Sequence, residues 1–595
     1  MSDIRPLLVT SALPYANGPP HFGHLSGAYL PADVFVRYHR MIGSDVAYVC
    51  GTDEHGVAIT LSAEQAGVPY QEYVDGWHAV WLRACEKLGI EFDNFSQTSR
   101  REPHFALSTE FFLRCLKNGH VVRRDIEQLY SPKTDRFLAD RYVVGTCYVC
   151  GYEEARGDEC PNCGSWLEAP KLQNPRSKLD PDDALELRAS WQYEFELGPF
   201  ADDPHVKPWL EQFRGGLKPN VVGFVFDKMI EGEGLEARPI TRDLPWGIPL
   251  PKTDLDGNDL GDVEGKVLYV WFDAPIGYIS STIEWAEREG KDWRRYWIVR
   301  DGEPEPRLVH FIGKDNITFH CILFPAMLAW QGLDNPPAEF LGPKPGERYA
   351  LPENVPANEF YNLEHKKFSK SSGWYIDVER HLEKYGADRT RFYLISSMPE
   401  TADTNFIWHD FKARTDLLAN VFGNFATRIL KFVDKHFEGK VPPRVGMDAE
   451  WAEVQAAIEK QVGEVAEHIE AYRFRKALDA FLGLAEHGNL YLDKTAPWKL
   501  RKTDMEACGT ALHIALQYLP ALSVLAEPFI PGVAAKLRGM LNLEARAPGS
   551  ILPTELLATG HALGEPGVLC EKVDPDEIEL ELAELNRRSS EDAAS

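Results

Sequence analysis

Two histidines near the start of the chain are the first residues whose type and spacing could serve catalysis. His21 and His24 enclose Phe22 and Gly23 in the string HFGH, which follows a turn-rich stretch containing three prolines. Imidazole N–H groups donate hydrogen bonds to phosphate oxygens, and a glycine lets a base or ribose approach the backbone closely. A turn with two surface histidines is the simpler alternative, and four residues alone do not decide between them.

A second string, EHKKFSKSSG over residues 364–373, concentrates lysine, serine and glycine. Lys366, Lys367 and Lys370 lie within five residues, and charges so close repel each other unless an anion lies between them. As a mobile loop, this segment could close on a triphosphate through Lys367 and Lys370 and stabilise the charge that develops on departing pyrophosphate. A solvated basic loop is the alternative for this string taken by itself.

Four of the ten cysteines form two Cys-x-x-Cys pairs separated by nine residues: Cys147, Cys150, Cys160 and Cys163. Four thiolates at this spacing can bind one tetrahedral zinc ion in a closed structural site, which leaves no coordination position for catalysis. Redox Cys-x-x-Cys pairs are the competing interpretation, but they occur singly and precede a helix. The other six cysteines are scattered, as reduced core cysteines are, so disulfides are not expected.

Polar residues follow apolar runs that predict buried parallel strands. A parallel sheet with helical crossovers binds its ligand at the C-terminal ends of the strands. Asp53 follows the run at residues 46–50, and it could bind a ligand ammonium group or cap the next helix. Gly313 and Asp315 follow the run at residues 308–312, where a backbone turn and a carboxylate can bind an adenosine ribose.

Small and aromatic side chains at two predicted strand ends could line an apolar slot as wide as one amino-acid side chain. They lie in the strings SALPY and VWFDAPIGY and comprise Ala12, Leu13, Tyr15, Trp271, Ala274, Pro275 and Tyr278. A flexible thioether suits aromatic walls, because sulfur–aromatic contacts contribute about 0.3–1.5 kcal/mol each. Aromatic residues on strands usually pack in the core, which is the alternative.

HFGH and KFSKS resemble the HIGH and KMSKS motifs of class I aminoacyl-tRNA synthetases, with phenylalanine in place of isoleucine and of methionine. The string SALPYANG and the single short zinc knuckle are similar to the methionyl branch, because the leucine, isoleucine and valine enzymes carry a much longer hydrolytic insertion. The resemblance covers about residues 5–545. It implies attack of the methionine carboxylate on the α-phosphate of Mg²⁺-bound ATP, then transfer of methionine to the 3′-terminal adenosine of initiator and elongator tRNA(Met).

The resemblance also implies roles for individual residues. Those assigned to ATP are His21, Gly23, His24, Gly313, Asp315, Lys367 and Lys370, of which the histidines and lysines are catalytic. Those assigned to methionine are Ala12, Leu13, Tyr15, Asp53, Arg242, Trp271, Ala274, Pro275, Tyr278 and His320. In this assignment Asp53 binds the α-ammonium group and Arg242 faces the carboxylate.

In the C-terminal third, the strings NFATR and APW are similar to strings of the methionyl branch. There the matching Asn424, Arg428 and Trp498 read the CAU anticodon. Asn and Arg four residues apart share one face of a helix, and tryptophan can stack on an unpaired base for about 1–3 kcal/mol. Residue chemistry alone favours a solvated arginine and a tryptophan that caps a helical bundle.

The expected architecture is an α/β Rossmann-type catalytic domain split by a zinc-binding insertion and followed by an all-α anticodon-binding bundle. The predicted segments are the first catalytic half (1–118), the insertion (119–234), the second catalytic half (235–345), the lysine-loop and stem-contact region (346–407), the bundle (408–545) and an acidic C-terminal tail (546–595). Helical spacing of apolar residues from about Trp408 favours some five helices in the bundle. We expect the Ser-rich end of the tail to fray.

A net charge of −27 argues at first against a polyanionic partner. RNA senses local patches within a Debye length of about 8 Å, however, and the basic residues are clustered. The clusters are Lys366, Lys367 and Lys370; Arg473, Arg475 and Lys476; and Lys499, Arg501 and Lys502. Apolar runs are too short for a membrane span and the N-terminus lacks signal-peptide character, so a cytoplasmic protein with no membrane partner is expected.

Some relatives carry an additional dimerising RNA-binding barrel at the C-terminal end, for which this sequence has no room, so a monomer is expected. Two rival functions stay open. One is another class I synthetase such as the cysteine enzyme, whose catalytic zinc needs a different ligand set. The other is a paralogue that binds tRNA or a partner without catalysis, against which the intact HFGH and KFSKS strings argue.

Overall fold

The computed structural model describes residues 5–157, 160, 162–163, 167–369, 372–544 and 557–592. Lys370, which the sequence assigns to the triphosphate, lies outside the described residues. The centre of the catalytic part is a five-stranded sheet. Its strands are β1 (Leu7–Ser11), β2 (Val46–Thr52), β3 (Asn94–Gln97), β4 (Arg307–Gly313) and β5 (Ala357–Asn358).

The strand order is β5-β4-β1-β2-β3, and every neighbouring pair is parallel. β1 lies at the centre, and all five of its residues are buried, as its apolar and β-branched sequence predicts. Because the chain leaves β1 toward β2 on one side and returns at β4 on the other, a crevice forms at the C-terminal ends of β1 and β4. The Rossmann-type sheet predicted from the sequence is confirmed.

Helices cover both faces of this sheet. In the first half they are Phe22–His24, Leu25–Tyr29 (a π-turn), Leu30–Met41, Val57–Ala66, Tyr70–Lys87, Arg101–Phe105 and Ala106–Lys117. In the second half they are Val270–Asp273, Ala274–Ile276, Gly277–Glu289, Arg294–Trp297, Lys314–Asn316, Phe319–Leu323 and Phe324–Ala329. Two short strands, Thr241–Asp243 and Lys266–Leu268, pair antiparallel between the halves.

The insertion contains two antiparallel sheets. The larger is formed by Val121–Ser131, Arg136–Phe137, Glu186–Phe195 and Arg238–Pro239, and the smaller by Val143–Thr146, Ala155–Arg156 and Gln173–Ser177. Helices Val206–Gly216, Pro219–Val222 and Gly223–Glu233 follow. The smaller sheet positions the cysteine pairs, which lie at its end.

A connecting region carries residues 364–373, which we call the lysine loop, between the catalytic part and the C-terminal helices. Its strands Tyr361–Leu363 and Thr404–Phe406 pair in parallel, and its helices are Val378–Tyr385 and Ala387–Ser396. Strand Tyr361–Leu363 ends directly before the lysine loop, so its position sets where that loop begins.

The C-terminal part is a bundle whose helices are Trp408–Leu418, Ala419–Gly423 (a π-turn), Asn424–Phe437, Asp448–Glu470, Phe474–Thr495, Pro497–Leu500, Met505–Leu516, Tyr518–Ala526 and Pro531–Met540. Several of these join end to end, which gives the five long helices that the apolar spacing predicts. In the described residues one stretch, Met505–Ala526, has the length and composition of a membrane span, but 94% of its apolar window is buried in the bundle.

The end of the chain differs from the sequence-based expectation. Instead of fraying, the described residues form a helix, Pro575–Asp592, in which Ile578 and Leu585 are buried. The guanidinium of Arg588 donates to the carbonyl of Tyr375 at 3.2 Å. Ile578 and Leu585 are seven residues apart, so they lie on the face of the helix that packs against the protein. The acidic and Ser-rich composition obscured this apolar spacing in the sequence.

Candidate active site and RNA-binding surface

The two histidines of HFGH lie together at the N-terminal end of the helical run 22–41. Their rings stack with centroids 3.6 Å apart, and the backbone N–H of His21 donates to Nδ1 of His24 at 3.3 Å. The run starts at the C-terminal edge of the sheet, beyond β1. Because a helix N-terminus presents unpaired N–H groups and a positive dipole end, this position favours a phosphate.

Packing explains the two residues between the histidines, Phe22 and Gly23. The Phe22 ring is buried against Phe406, at 5.2 Å between centroids, and meets the edge of His381 at 4.9 Å. A Cβ atom on Gly23 would lie 2.8 Å from the His21 ring and 3.2 Å from the carbonyl oxygen of Tyr361. The apolar position therefore serves packing, and only glycine leaves room for the histidine and the adjoining strand.

The described part of the lysine loop lies against residues 21–24, which we call the histidine turn. The ring of Phe368 stacks on His21, with centroids 4.7 Å apart and planes 5° apart. Beyond Phe368, mutual backbone hydrogen bonds join Ser369 and Trp374 at 2.9 and 2.8 Å. Lys367 is exposed beside Phe368. The structure thus brings the two predicted motifs together, although they are remote in sequence.

The turn assigned to the adenosine follows β4. Gly313 ends the strand and Lys314–Asn316 forms a single helical turn. A Cβ atom on Gly313 would lie 2.7 Å from Oδ1 of Asp315, so the carboxylate folds back over the glycine. Backbone and carboxylate are thus together at the same sheet edge as the histidine turn.

Asp53 lies just beyond β2, beside the segment that leaves β1. Backbone hydrogen bonds at 2.9 Å join its N–H to the Pro14 carbonyl and its carbonyl to the Ala16 N–H. Its side chain is buried, and Oδ1 has no hydrogen-bond partner in the part of the chain that the structure describes. Burial, and then the neighbouring carboxylate of Asp273, raise the pKa of Asp53 well above its usual range. An ammonium group would supply the missing partner and the missing charge.

The alternative role for Asp53, capping the next helix, is wrong. That helix is Val57–Ala66 and its N-cap is Gly56, without a side-chain cap. Gly56 has φ of +98°, and a Cβ atom there would lie 2.7 Å from the Tyr15 hydroxyl. The glycine therefore makes room for Tyr15 next to Asp53.

Aromatic residues line the crevice on the side of the second catalytic half. Trp271 stacks on Phe319 with centroids 3.9 Å apart, and the Tyr278 hydroxyl lies 2.8 Å from Nε2 of His320. Burial lowers the pKa of His320 to about 4, so the ring is neutral at pH 7. Because Nδ1 faces the Asn316 carbonyl at 3.1 Å, Nδ1 carries the proton and Nε2 accepts from the tyrosine.

The remaining predicted pocket residues lie close by. Leu13 lies against Gly51 and Gly277, at 3.2 and 3.5 Å from the position of a Cβ atom on each. Ala12 is buried just beyond β1. The second predicted strand end is wrong, because Trp271 lies on the helix Val270–Asp273, while Ala274 and Pro275 are buried in the helical turn Ala274–Ile276. These contacts agree with an apolar slot, and no single strand supplies it.

Arg242 lies on the antiparallel strand Thr241–Asp243. Its guanidinium lies over the Tyr269 ring at 4.0 Å, and Nη1 donates to the Thr241 carbonyl at 2.9 Å. Tyr269 is in turn close to Tyr15. The pKa of Tyr15 is raised first by burial, then by Asp53 and then by Tyr269. The arginine therefore belongs to the same neighbourhood as the predicted methionine site.

Sequence reasoning missed a buried histidine–carboxyl hydrogen bond behind Asp53. Nδ1 of His55 lies 2.5 Å from Oδ2 of Asp273, and both side chains are almost fully buried. A carboxylate inside the apolar string VWFDAPIGY was the signal that could have found it. Phe319, the partner of Trp271, was missed because it is an ordinary apolar residue of a helix.

The four cysteines form one cluster. All four Sγ atoms lie within 4.8 Å of one another, with 4.0 Å between Cys147 and Cys163 and 3.6 Å between Cys150 and Cys160. Sulfurs at 2.3 Å from a tetrahedral zinc ion are about 3.8 Å apart, so the donor set fits. The backbone N–H of Val149 also donates to the Cys147 sulfur at 3.3 Å. One cluster of four favours structural zinc over redox pairs.

The three residues assigned to the anticodon lie at one end of the bundle. Asn424 and Arg428 are exposed on the helix Asn424–Phe437, one turn apart. The Arg428 guanidinium lies over the half-buried ring of Trp498, 5.0 Å from its centroid. The tryptophan also packs against the bundle core, so it caps the bundle and at the same time forms one surface with the exposed arginine.

Basic residues without acidic partners extend from this surface. We call them the basic strip: Arg428, Lys431, Lys435, Lys499, Arg501 and Lys502. None of the six forms an ion pair within the described ranges, although the chain carries many salt bridges elsewhere. His436 is close to both segments of the strip. Burial is the largest cause that lowers its pKa, and the positive charges of Arg501 and Lys435 lower it further. Unpaired cations on an acidic protein favour a polyanionic partner.

Two known sequence families match the chain. The family described as tRNA synthetases class I (M) matches residues 7–430, and the anticodon binding domain of methionyl tRNA ligase matches residues 441–587. A methionine–tRNA ligase from Flavobacterium psychrophilum is 43% identical over 97% of this chain and 80% of its own length. One from Pyrococcus abyssi is 44% identical over 96% and 76%.

Solved structures resemble this fold along nearly its whole length. A Mycobacterium tuberculosis methionyl-tRNA synthetase in complex with methionyl-adenylate has a TM-score of 0.75 and 26% identity, and the match covers 96% of this chain and 100% of that one.

Proposed function

The chain belongs to the methionyl branch of the class I tRNA synthetases, and on this premise we propose which of its residues carry out each step. The enzyme is a methionine–tRNA ligase. It activates methionine with ATP to give methionyl-adenylate and pyrophosphate, and then transfers methionine to the terminal ribose of tRNA(Met). The observation that best supports the assignment below is the contact between HFGH and the lysine loop at the edge of the sheet that also carries Asp53.

ATP lies across the crevice with its phosphates at the histidine turn. His21 and His24 donate to the phosphate oxygens, and Lys367 and Lys370 stabilise the charge that develops on the β- and γ-phosphates as pyrophosphate leaves. Gly23 contributes to the ATP site because its missing side chain leaves room for the His21 ring beside the phosphates. Gly313 and Asp315 bind the ribose, and Mg²⁺ accompanies the triphosphate. No side chain forms a covalent intermediate, since the methionine carboxylate is the nucleophile.

Methionine lies between Asp53 and the aromatic side of the crevice. Asp53 binds the α-ammonium group, and Arg242 faces the carboxylate. The thioether lies in the slot formed by Ala12, Leu13, Tyr15, Trp271, Ala274, Pro275, Tyr278 and His320. The Tyr278–His320 hydrogen bond leaves apolar ring surface toward the ligand, which suits a thioether better than a charged side chain.

Zinc, held by Cys147, Cys150, Cys160 and Cys163, has a structural role. With all four ligands supplied by the protein, it has no position for water or substrate. Its contribution is to fix the small sheet of the insertion.

The anticodon of tRNA(Met), in initiator and elongator forms, binds Asn424, Arg428 and Trp498. The basic strip binds phosphates of the same RNA segment. This RNA role and the family membership favour action in the cytoplasm. The monomeric state stays a prediction.

ATP–pyrophosphate exchange measured with each amino acid in turn tests the function. We expect exchange with methionine and little with cysteine, which separates this enzyme from the cysteine synthetase. Lys370→Ala should lower the adenylation rate with little change in methionine affinity. An absence of exchange with every amino acid, together with retained tRNA binding, would instead support a non-catalytic paralogue.

A further inference from the structure

Lys314, in the turn between Gly313 and Asp315, makes three contacts that the assignment above does not use. Its ammonium group lies 2.6 Å from Oε2 of Glu359 and 2.8 Å from Oδ1 of Asp403. It also lies over the Phe360 ring, 4.1 Å from the centroid. One lysine therefore contacts two carboxylates and an aromatic ring, all remote from it in sequence.

These contacts lie at the base of the lysine loop. Glu359 and Phe360 directly precede strand Tyr361–Leu363, which leads into the loop, and Asp403 directly precedes the partner strand Thr404–Phe406. Oδ1 of Asp403 also accepts from the Phe360 N–H at 3.0 Å. The lysine thus connects the turn after β4 to the strand that leads into the lysine loop and to the strand that pairs with it.

We propose that Lys314 is a positioning residue for adenylate formation, which fixes the base of the lysine loop relative to the nucleoside-binding turn. The proposal rests on the assigned ATP site. If the turn holds the ribose and the loop holds the terminal phosphates, the distance between the two ends of bound ATP depends on this connection. Misplacement of a catalytic group by about 1 Å can cost a hundredfold in rate.

The charges around Lys314 favour positioning over direct phosphate binding. Two carboxylates already face its single positive charge, whereas Lys367 forms no ion pair with a residue that the structure describes. The hydrogen bond from Lys314 lowers the pKa of Asp403, and Lys367 adds a smaller effect of the same sign. Asp403 therefore stays ionised at neutral pH, and both lysines stabilise its charge.

Replacement of the charge tests the role. Lys314→Met keeps most of the side-chain length, and we expect its adenylation rate to fall about ten- to a hundredfold while the methionine dissociation constant stays unchanged. Lys314→Arg should restore much of the rate, because a guanidinium can pair with both carboxylates. Lys117→Met is the control, since Lys117 is an exposed lysine paired with Asp256 at 2.6 Å. Wild-type rates in Lys314→Met would overturn the proposal.

A second experiment separates positioning from contact with the nucleotide. In a Lys367→Ala background, adding Lys314→Met should lower the adenylation rate by less than about twofold. The two losses overlap because both residues act through the same loop. If the double variant instead loses the product of the two single-variant factors in adenylation rate, Lys314 acts on ATP itself, which contradicts the proposal. Methionine-dependent exchange by the wild-type enzyme is measured alongside. Its absence would refute the proposed function, whereas its presence with an unaffected Lys314→Met variant would refute only this inference.

Discussion

The ring of Phe368 lies parallel to the ring of His21, with centroids 4.7 Å apart. The first residue belongs to the lysine loop and the second to the histidine turn, so this stack is the direct contact between the two motifs. The other phenylalanine substitution, Phe22, turns away into the core against Phe406. Of the two apolar replacements, only Phe368 is placed to affect the reaction.

Truncation of Phe368 should slow adenylation. Aromatic stacking contributes about 0.5–1.5 kcal/mol, so Phe368→Ala should lower the rate about two- to twelvefold by releasing the loop from the histidine turn. Phe368→Met should lose less, since a thioether can also contact the imidazole. Stopped-flow or quenched-flow adenylation measures the rate, and equilibrium binding should show unchanged methionine affinity. An alanine variant with the wild-type rate would show that the stack is not needed for catalysis.

Removal of the charge of Asp53 should affect binding and stability in opposite directions. Asp53→Asn should weaken methionine binding by about 3–5 kcal/mol, because a buried ammonium loses its charged partner. The raised pKa of Asp53 means that the folded state holds this proton more tightly than the unfolded state. The stability that Asp53 contributes by holding this proton is therefore fully present below the pKa that the carboxyl group has in the unfolded chain. It is lost as pH rises through the higher pKa that the group has in the folded protein. At pH 7, without methionine, the variant should melt at a higher temperature than the wild type.

The pH dependence supplies a second measurement of the same residue. Methionine requires the ionised carboxylate, so its dissociation constant should increase as pH falls below the raised pKa of Asp53. Asp256→Asn is a suitable control, because the Asp256 carboxylate is exposed and pairs with Lys117 at 2.6 Å. That variant should keep its methionine affinity. Calorimetry that shows no stabilisation of Asp53→Asn at pH 7 would contradict the assigned burial.

The sequence was informative where chemistry is local and uninformative where it depends on distant pairing. Strand-end residues such as Asp53, and the four clustered cysteines, could be located because β-strand and knuckle patterns span few residues. The contact between Lys314 and Asp403 joins positions 89 residues apart, so no window of sequence contains it. The helix Pro575–Asp592 was missed because charge dominated its composition, although Ile578 and Leu585 are buried.

Loss of the zinc ligands should unfold the insertion first. Cys147 and Cys160 are buried, and without a metal ion four thiols have no other means of holding the small sheet together. Metal analysis should find about one zinc per chain, and Cys147→Ser should release it and lower the melting temperature. Cys570→Ser, outside the cluster, is the control and should retain zinc. Full zinc content in Cys147→Ser would contradict the ligand assignment.

Replacement of Trp498 should separate the two steps of the reaction. Trp498→Ala removes a stacking surface worth about 1–3 kcal/mol per base and leaves Arg428 without its aromatic partner. We expect tRNA charging to fall more than tenfold while ATP–pyrophosphate exchange stays unchanged. Trp451→Ala, on the helix Asp448–Glu470, tests whether loss of a bundle tryptophan by itself has this effect. An equal loss of charging and exchange in Trp498→Ala would refute the anticodon role.

The basic strip predicts a salt dependence that the anticodon residues alone do not. Each phosphate contact contributes about 0.7–0.9 to the slope of log affinity against log salt concentration. Lys431→Ala combined with Lys435→Ala should therefore weaken tRNA binding at low salt and reduce that slope by about 1–2. Lys460→Ala is the matched control, because this lysine is exposed on the helix Asp448–Glu470 but pairs with Glu464 at 3.7 Å. Fluorescence titration across salt concentrations gives both slopes. If the double variant keeps the wild-type slope, the unpaired charges do not contact RNA and serve only to offset the acidity of the protein.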